Sequence, residues 1–236
     1  MLFRSHPQQF KIQVDSAAGT EVERLFQPTL QRTGGFLERT LRIGDNSKLP
    51  EWLSGRHIEG TVAVRALNIA GHVAAIDSAA LAWDGPDVKF SDVKGRVDAD
   101  GISGTLTVDL AGRAPKYHTD GRYQKVAFKG GKLDVTGTAD ATGAGGALLG
   151  SLQAQGTFEG KAIAFSSDAI FRTVTGKFDA RASGVGLQWK LSSLEGMIGA
   201  DAYKGDGSSE ADGKVVLHLT SGDKPATFSG SILAAQ

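Results

Sequence analysis

Gly104-Thr105-Leu106-Thr107-Val108-Asp109-Leu110 alternates strictly between apolar and polar side chains. Successive side chains of an extended strand point to opposite faces. Leu106, Val108 and Leu110 therefore share one face, and Thr105, Thr107 and Asp109 share the other. The stretch predicts a strand buried on one side only. Its opening unit, a glycine, any residue and then an apolar residue, recurs along the chain. It stands at Gly60-Thr61-Val62, Gly95-Arg96-Val97, Gly121-Arg122-Tyr123 and Gly137-Thr138-Ala139, and again at Gly156-Thr157-Phe158, Gly176-Lys177-Phe178, Gly213-Lys214-Val215 and Gly230-Ser231-Ile232. From Gly104 onward the units lie about 16 to 20 residues apart, with one double-length step, which fits two strands and two turns per unit.

The alternation persists inside these runs. Val62 and Val64 follow Gly60, and Phe178 follows Gly176. Val215, Leu217 and Leu219 oppose Lys214, Val216 and His218. Phe158 takes the apolar side before an expected interruption at Gly160-Lys161. The spacing is looser than that of a solenoid. It predicts a mainly β chain, an elongated, curled antiparallel sheet forming a groove-like array. One face of that sheet is apolar and must be covered by protein or by something apolar that is not protein.

The beginning of the chain reads differently. Phe10 to Asp15 alternates like a half-buried strand. Thr20 and Glu23 have capping-box spacing, and Val22, Leu25, Phe26 and Leu30 follow at helical spacing until Pro28 limits the helix. Phe36 to Ile43 predicts a second short helix, and Pro50 to Leu53 one more turn. Residues 1–55 are therefore expected to be a strand with short helices, and residues 56–236 the repeated β region. The glycine-rich break from Thr142 to Gly150 holds Ala147-Leu148-Leu149, expected as a helical turn or a plug against the sheet.

Composition narrows the function classes. Glycine accounts for 32 of 236 residues, roughly twice the usual 7%, and is spread along the chain as turns and strand ends require. Lys+Arg and Asp+Glu both total 26, so no cationic excess is present to displace the counterions of nucleic acid. Cysteine is absent, which removes disulfides, thiolate metal sites and thiol nucleophiles together. No apolar run approaches the roughly 18 residues of a membrane span, and Met1 to Gln9 holds no apolar signal core. Met1-Leu2-Phe3-Arg4-Ser5 resembles the in-frame translation of a sequencing adapter, and the chain stops after a strand-like segment, so a fragment of a longer reading frame is expected.

No constellation points to catalysis. His6, His57, His72, His118 and His218 show no metal-ligand spacing. Asp98-Ala99-Asp100-Gly101 opens like a calcium loop but lacks the downstream glutamate. It is read as a turn, as are Asp206-Gly207 and Asp212-Gly213. Gly143 to Gly146 lacks the spacing and following helix of a dinucleotide fingerprint. Trp83, Phe90, Tyr117, Tyr123, Phe128, Phe158, Phe165, Phe171, Phe178 and Trp189 fall mostly in strand-like runs, where they pack a core or line an apolar ligand groove.

Three stretches resemble the C-terminal region of the AsmA-like family, within the AsmA/TamB/YhdP superfamily. They are Glu21 to Leu53, Arg56 to Leu110 with Leu81-Ala82-Trp83-Asp84-Gly85, and Gly156 to Gly230 with Val174-Thr175-Gly176-Lys177-Phe178. The resemblance implies a periplasmic protein held to the inner membrane by an anchor outside this chain. It also implies an apolar β-groove that passes phospholipid acyl chains between inner and outer membranes and supports outer-membrane homeostasis. On that reading the groove candidates are Val62, Val64, Leu106, Val108, Leu110, Phe158, Phe178, Val215, Leu217 and Leu219. No catalytic, metal or cofactor residue is expected, and no nucleic-acid partner. The competing expectations are a structural or adhesive secreted β-repeat with a closed protein core, and a carbohydrate-active enzyme on a β scaffold.

Overall fold

The computed structural model describes residues 8–18, 54–69, 72–98, 100–112, 114–143, 146–183, 186–210 and 213–232. They are almost entirely strand. In chain order these are β1 (Gln8–Val14), β2 (Ala17–Ala18), β3 (His57–Ile69), β4 (His72–Asp84), β5 (Asp87–Val97), β6 (Asp100–Asp109), β7 (Lys116–Phe128) and β8 (Gly131–Thr142). A five-residue helix, α1 (Gly146–Gly150), precedes β9 (Gln153–Ala164) and β10 (Ile170–Ser183). Then come β11 (Gly186–Ile198), β12 (Asp201–Ser209), β13 (Val215–Ser221) and β14 (Lys224–Gly230).

From β3 to β14 each strand is hydrogen-bonded to the next strand in sequence. The chain is thus mainly β, as the alternation predicts. One part of the expectation needs correction: β1 and β2 run parallel to β3, so the sheet is mixed rather than wholly antiparallel. A parallel pair cannot be joined by a tight hairpin and needs a long connection. Residues 19–56, between β2 and β3, supply it, and the helices expected at 20–53 lie outside the described residues.

The described chain divides into two compact units, with boundaries inside β6 and β7. Unit 1 contains β1 to β5, residues 103–119 and 142–143. Unit 2 contains residues 100–102, 120–141 and 146–232.

In unit 1 the inward side chains line up across the strands. Ile58 of β3 stands opposite Trp83 of β4, which stands opposite Val88 of β5. The next row is Phe10, Gly60, Leu81 and Phe90; the one after is Ile12, Val62 and Ala79. Leu81, Val88, Val108 and Leu110 form the buried centre, with Ile58, Val62, Trp83, Phe90, Leu106 and Tyr117 packed around it. The Leu110 amide donates to the Pro86 carbonyl at 2.9 Å, tying the end of β6 to the β4–β5 turn. Arg56 lies over the Trp83 ring at 4.7 Å, and the Trp83 indole donates to the Gly85 carbonyl at 2.9 Å.

Unit 2 shows why the glycine unit repeats. Antiparallel pairing sets Gly156-Thr157-Phe158 of β9 against Gly176-Lys177-Phe178 of β10, so Gly156 faces Phe178 and Phe158 faces Gly176. Each ring lies over the bare backbone of the other strand's glycine. A Cβ on Gly176 would sit 2.6 Å from Leu194 and 2.9 Å from the Phe158 ring. The pattern carries on across the sheet: Phe178 faces Leu191, Leu191 faces Gly207, Gly207 faces Leu217, and Leu217 faces Phe228. Gly156 and Gly207 thus leave room along this row for the larger Phe178, Leu191 and Leu217. Asp206-Gly207, expected as a turn, lies instead in the middle of β12, where Gly207 makes room for Leu217. The interruption expected at Gly160-Lys161 is a break in alternation and not in the strand: exposed Lys161 and Ala162 stand together between buried Gly160 and Ile163. β9 continues to Ala164, with Ala162 at φ 56° and the register against β10 unshifted.

Candidate functional site

The feature with functional content is the inward apolar face. The ten groove candidates separate into two groups. Val108 (4% exposed), Leu110, Val215 (0%), Leu217 and Leu219 are buried by the protein itself. Val62, Val64, Leu106, Phe158 and Phe178 are half-buried. Unit 1 brings together Val62, Leu106, Val108 and Leu110 around one core. Val64 adjoins that face on β3, opposite Val14 and Ile76. Unit 2 brings together Phe158, Phe178, Val215, Leu217 and Leu219.

The burial in unit 2 has a local cause. The sheet curls until β14 meets the turn that follows β9. A Cβ on Gly230 would lie 2.5 Å from the Phe165 carbonyl oxygen and 3.0 Å from its ring. Phe165 and Ala169 close this turn through a 3.0 Å backbone hydrogen bond. They belong to the same cluster as Val215, Leu217 and Leu219. Phe178–Trp189 and Tyr203–Phe228 ring pairs, 6.2 and 6.0 Å apart, fill more of the concavity.

In unit 1 the same face is open toward β1. Within single cross-strand rows, exposure rises from Leu81 at 8% to Phe10 at 45%, and from Ala79 at 4% to Ile12 at 39%. Phe10 and Ile12 were legible as strand residues, but their place beside Val62 and Val64 required the parallel register, which no local signal announces. Phe165 and Ala169 were missed as a covering element for a similar reason: the contact joins strands far apart in sequence.

Polar chemistry is sparse. Among the described residues no group of three His, Asp or Glu side chains is placed to hold a metal ion. The Asp98 carboxylate accepts from the Val73 amide at 3.2 Å, and the Asp98 amide donates to the Val73 carbonyl at 2.7 Å. Those bonds brace the β5–β6 turn where a calcium loop was weighed. His57 lies 2.8 Å from Asp84 across the β3–β4 pair, with both side chains solvent-exposed. In place of the plug weighed at 147–149, α1 leaves Leu149 66% exposed.

Comparison with known proteins returned no matching family model, no matching curated protein and no matching solved structure.

Proposed function

We propose that the chain belongs to a non-enzymatic envelope protein whose inward apolar face shields phospholipid acyl chains in transit between the inner and outer membranes. The observation that carries this reading is the open stretch of unit 1, where Phe10 and Ile12 extend the rows of Gly60 and Val62 at 45% and 39% exposure. An acyl chain laid along such a face gains about 0.8 kcal/mol per methylene removed from water. A short contact of roughly eight methylenes then gives weak, reversible affinity rather than a trap. Transfer needs no reacting group, only neighbouring apolar positions of similar affinity. The resemblance to the AsmA-like family supports the same reading and supplies its setting, a periplasmic protein anchored in the inner membrane.

The test is binding of a fluorescent phospholipid by the full chain. Val62→Asp places a charge on the half-buried stretch, and binding is expected to fall at least tenfold while circular dichroism stays unchanged. Val108→Asp is the wrong probe, because Val108 is buried and a charge there unfolds the unit. Undiminished binding in Val62→Asp, or none in the parent chain, overturns the proposal.

A second reading, a structural β-repeat with a closed protein core, is favoured by one observation. The turn at Phe165 meets Gly230, the partner of Val215, and Val215 has no exposed surface. The two readings divide on unit 1.

A further inference from the structure

We propose that the outward face of unit 2, at the β8–β10 end, docks onto an anionic lipid surface. This does not depend on the inward face carrying lipid. Lys132 of β8 stands directly opposite Lys161 of β9. Like charges facing each other across a pair oppose folding, so the pairing calls for a counterion. Further along, two irregularities add outward side chains. On β9, exposed Lys161 and Ala162 both fall between buried Gly160 and Ile163. On β10, exposed Arg172 and Thr173 both fall between buried Phe171 and Val174, where the register with β11 shifts. Arg172 therefore emerges beside Ala162 and Lys161. Lys129 completes the group: its carbonyl accepts from the Ala164 amide at 3.0 Å, and Ala164 pairs with Ile170.

The centre of this patch is apolar. Ile170 is 55% exposed and points outward, since its neighbour Phe171 is buried. Ala162 and Ala164 flank it on β9, both exposed. Lys132, Lys161 and Arg172 thus stand on the strands beside three aliphatic side chains, with Lys129 in the turn next to Ala164. None of the four cations takes part in an ion pair among the described residues. Asp134 and Glu159 stand opposite each other two residues along β8 and β9, on the same face. Asp134 is already 3.6 Å from the Arg122 guanidinium. Asp168, in the turn after β9, accepts from the Ser167 hydroxyl at 3.2 Å.

Cations around an exposed aliphatic group suit a membrane interface. The charges are drawn to negative headgroups while the isoleucine enters the boundary below them. A nucleic acid would use the cations but leave Ile170 against phosphate and sugar, so lipid is favoured.

The experiment is co-sedimentation of the full chain with phosphatidylcholine vesicles, with and without about 30% phosphatidylglycerol. Binding is expected only to the anionic vesicles and to weaken with salt. Each basic side chain near a charged bilayer is worth about fivefold in partition, so Lys132→Glu/Lys161→Glu should lower partition at least 25-fold. Ile170→Ser should lower it a few-fold. Lys177→Glu/Lys224→Glu, also on exposed strand positions of unit 2, should change it much less. All these positions are exposed, so circular dichroism should match the parent. Equal loss in the two double variants, or full binding by Lys132→Glu/Lys161→Glu, overturns the proposal. Displacement from the vesicles by a DNA duplex with Ile170→Ser unaffected overturns the lipid assignment. Failure of the fluorescent-phospholipid test at Val62 leaves this surface untouched, because that test reads the opposite face.

Discussion

The two units face the same physical problem and solve it differently. Each has a sheet with one apolar side. Unit 2 curls until the Phe165 turn meets Gly230, and ten buried residues gather on its inward face. Unit 1 has a buried core cluster of four, Leu81, Val88, Val108 and Leu110, and leaves the row ending in Phe10 half open. The sequence alternation is equally regular in both. The difference lies in what the curl brings into contact, and it teaches that a one-sided strand pattern is necessary for a groove without being enough to make one.

Substitutions can break or sharpen this contrast. The largest effect is expected at Val215, which has no exposed surface. Val215→Asp buries an unpaired charge and should remove at least about 4 kcal/mol, abolishing cooperative thermal unfolding of unit 2. If the variant melts like the parent, unit 2 is not closed. An intermediate effect is expected at Gly176. Gly176→Val drives two methyl groups toward Leu194 and the Phe158 ring and should cost about 2 to 3 kcal/mol in chemical denaturation. Adding Phe158→Leu should recover about 1 kcal/mol or more, as a double-mutant cycle would show. Additive losses would mean the ring does not rest on the glycine. The smallest effect is expected at Ile12. Ile12→Ser lies on the same kind of face but is already 39% exposed, so the melting midpoint should move by less than the equivalent of about 1 kcal/mol. A loss as large as at Gly176 would show that unit 1 is closed too.

Much of the fold was legible because it is local. The alternation in Gly104–Leu110 and Val215–Leu219 fixes which side chains face inward, and burial of Val108, Leu110, Val215, Leu217 and Leu219 agrees with it. Chain-order pairing follows from the short turns. Asp206-Gly207 misled because the dipeptide has two uses: it favours a hairpin turn, and its glycine also leaves space opposite a leucine. Gly160-Lys161 marks a real break in alternation, which the strand runs through with Ala162 at a positive φ. The candidate site was legible as a face and not as a surface. Whether Val62 or Leu217 is covered depends on contacts such as Phe165 with Gly230, made between residues more than sixty positions apart. No window of sequence contains both.

The parallel docking of β1 on β3 has a consequence for how the protein assembles. Between β3 and β14 each strand meets its sequence neighbour, so those pairings close short loops and start with little entropic penalty. β1 must instead close the whole of residues 15–56 before its first hydrogen bond to β3 forms. It is the natural last arrival in folding and the first departure under stress, and its amides should exchange with solvent well before those of β4. Because Ile12 and Val14 stand opposite Val62 and Val64, each departure would shorten the open rows of the apolar face and bare the β3 edge beside Val62 and Val64.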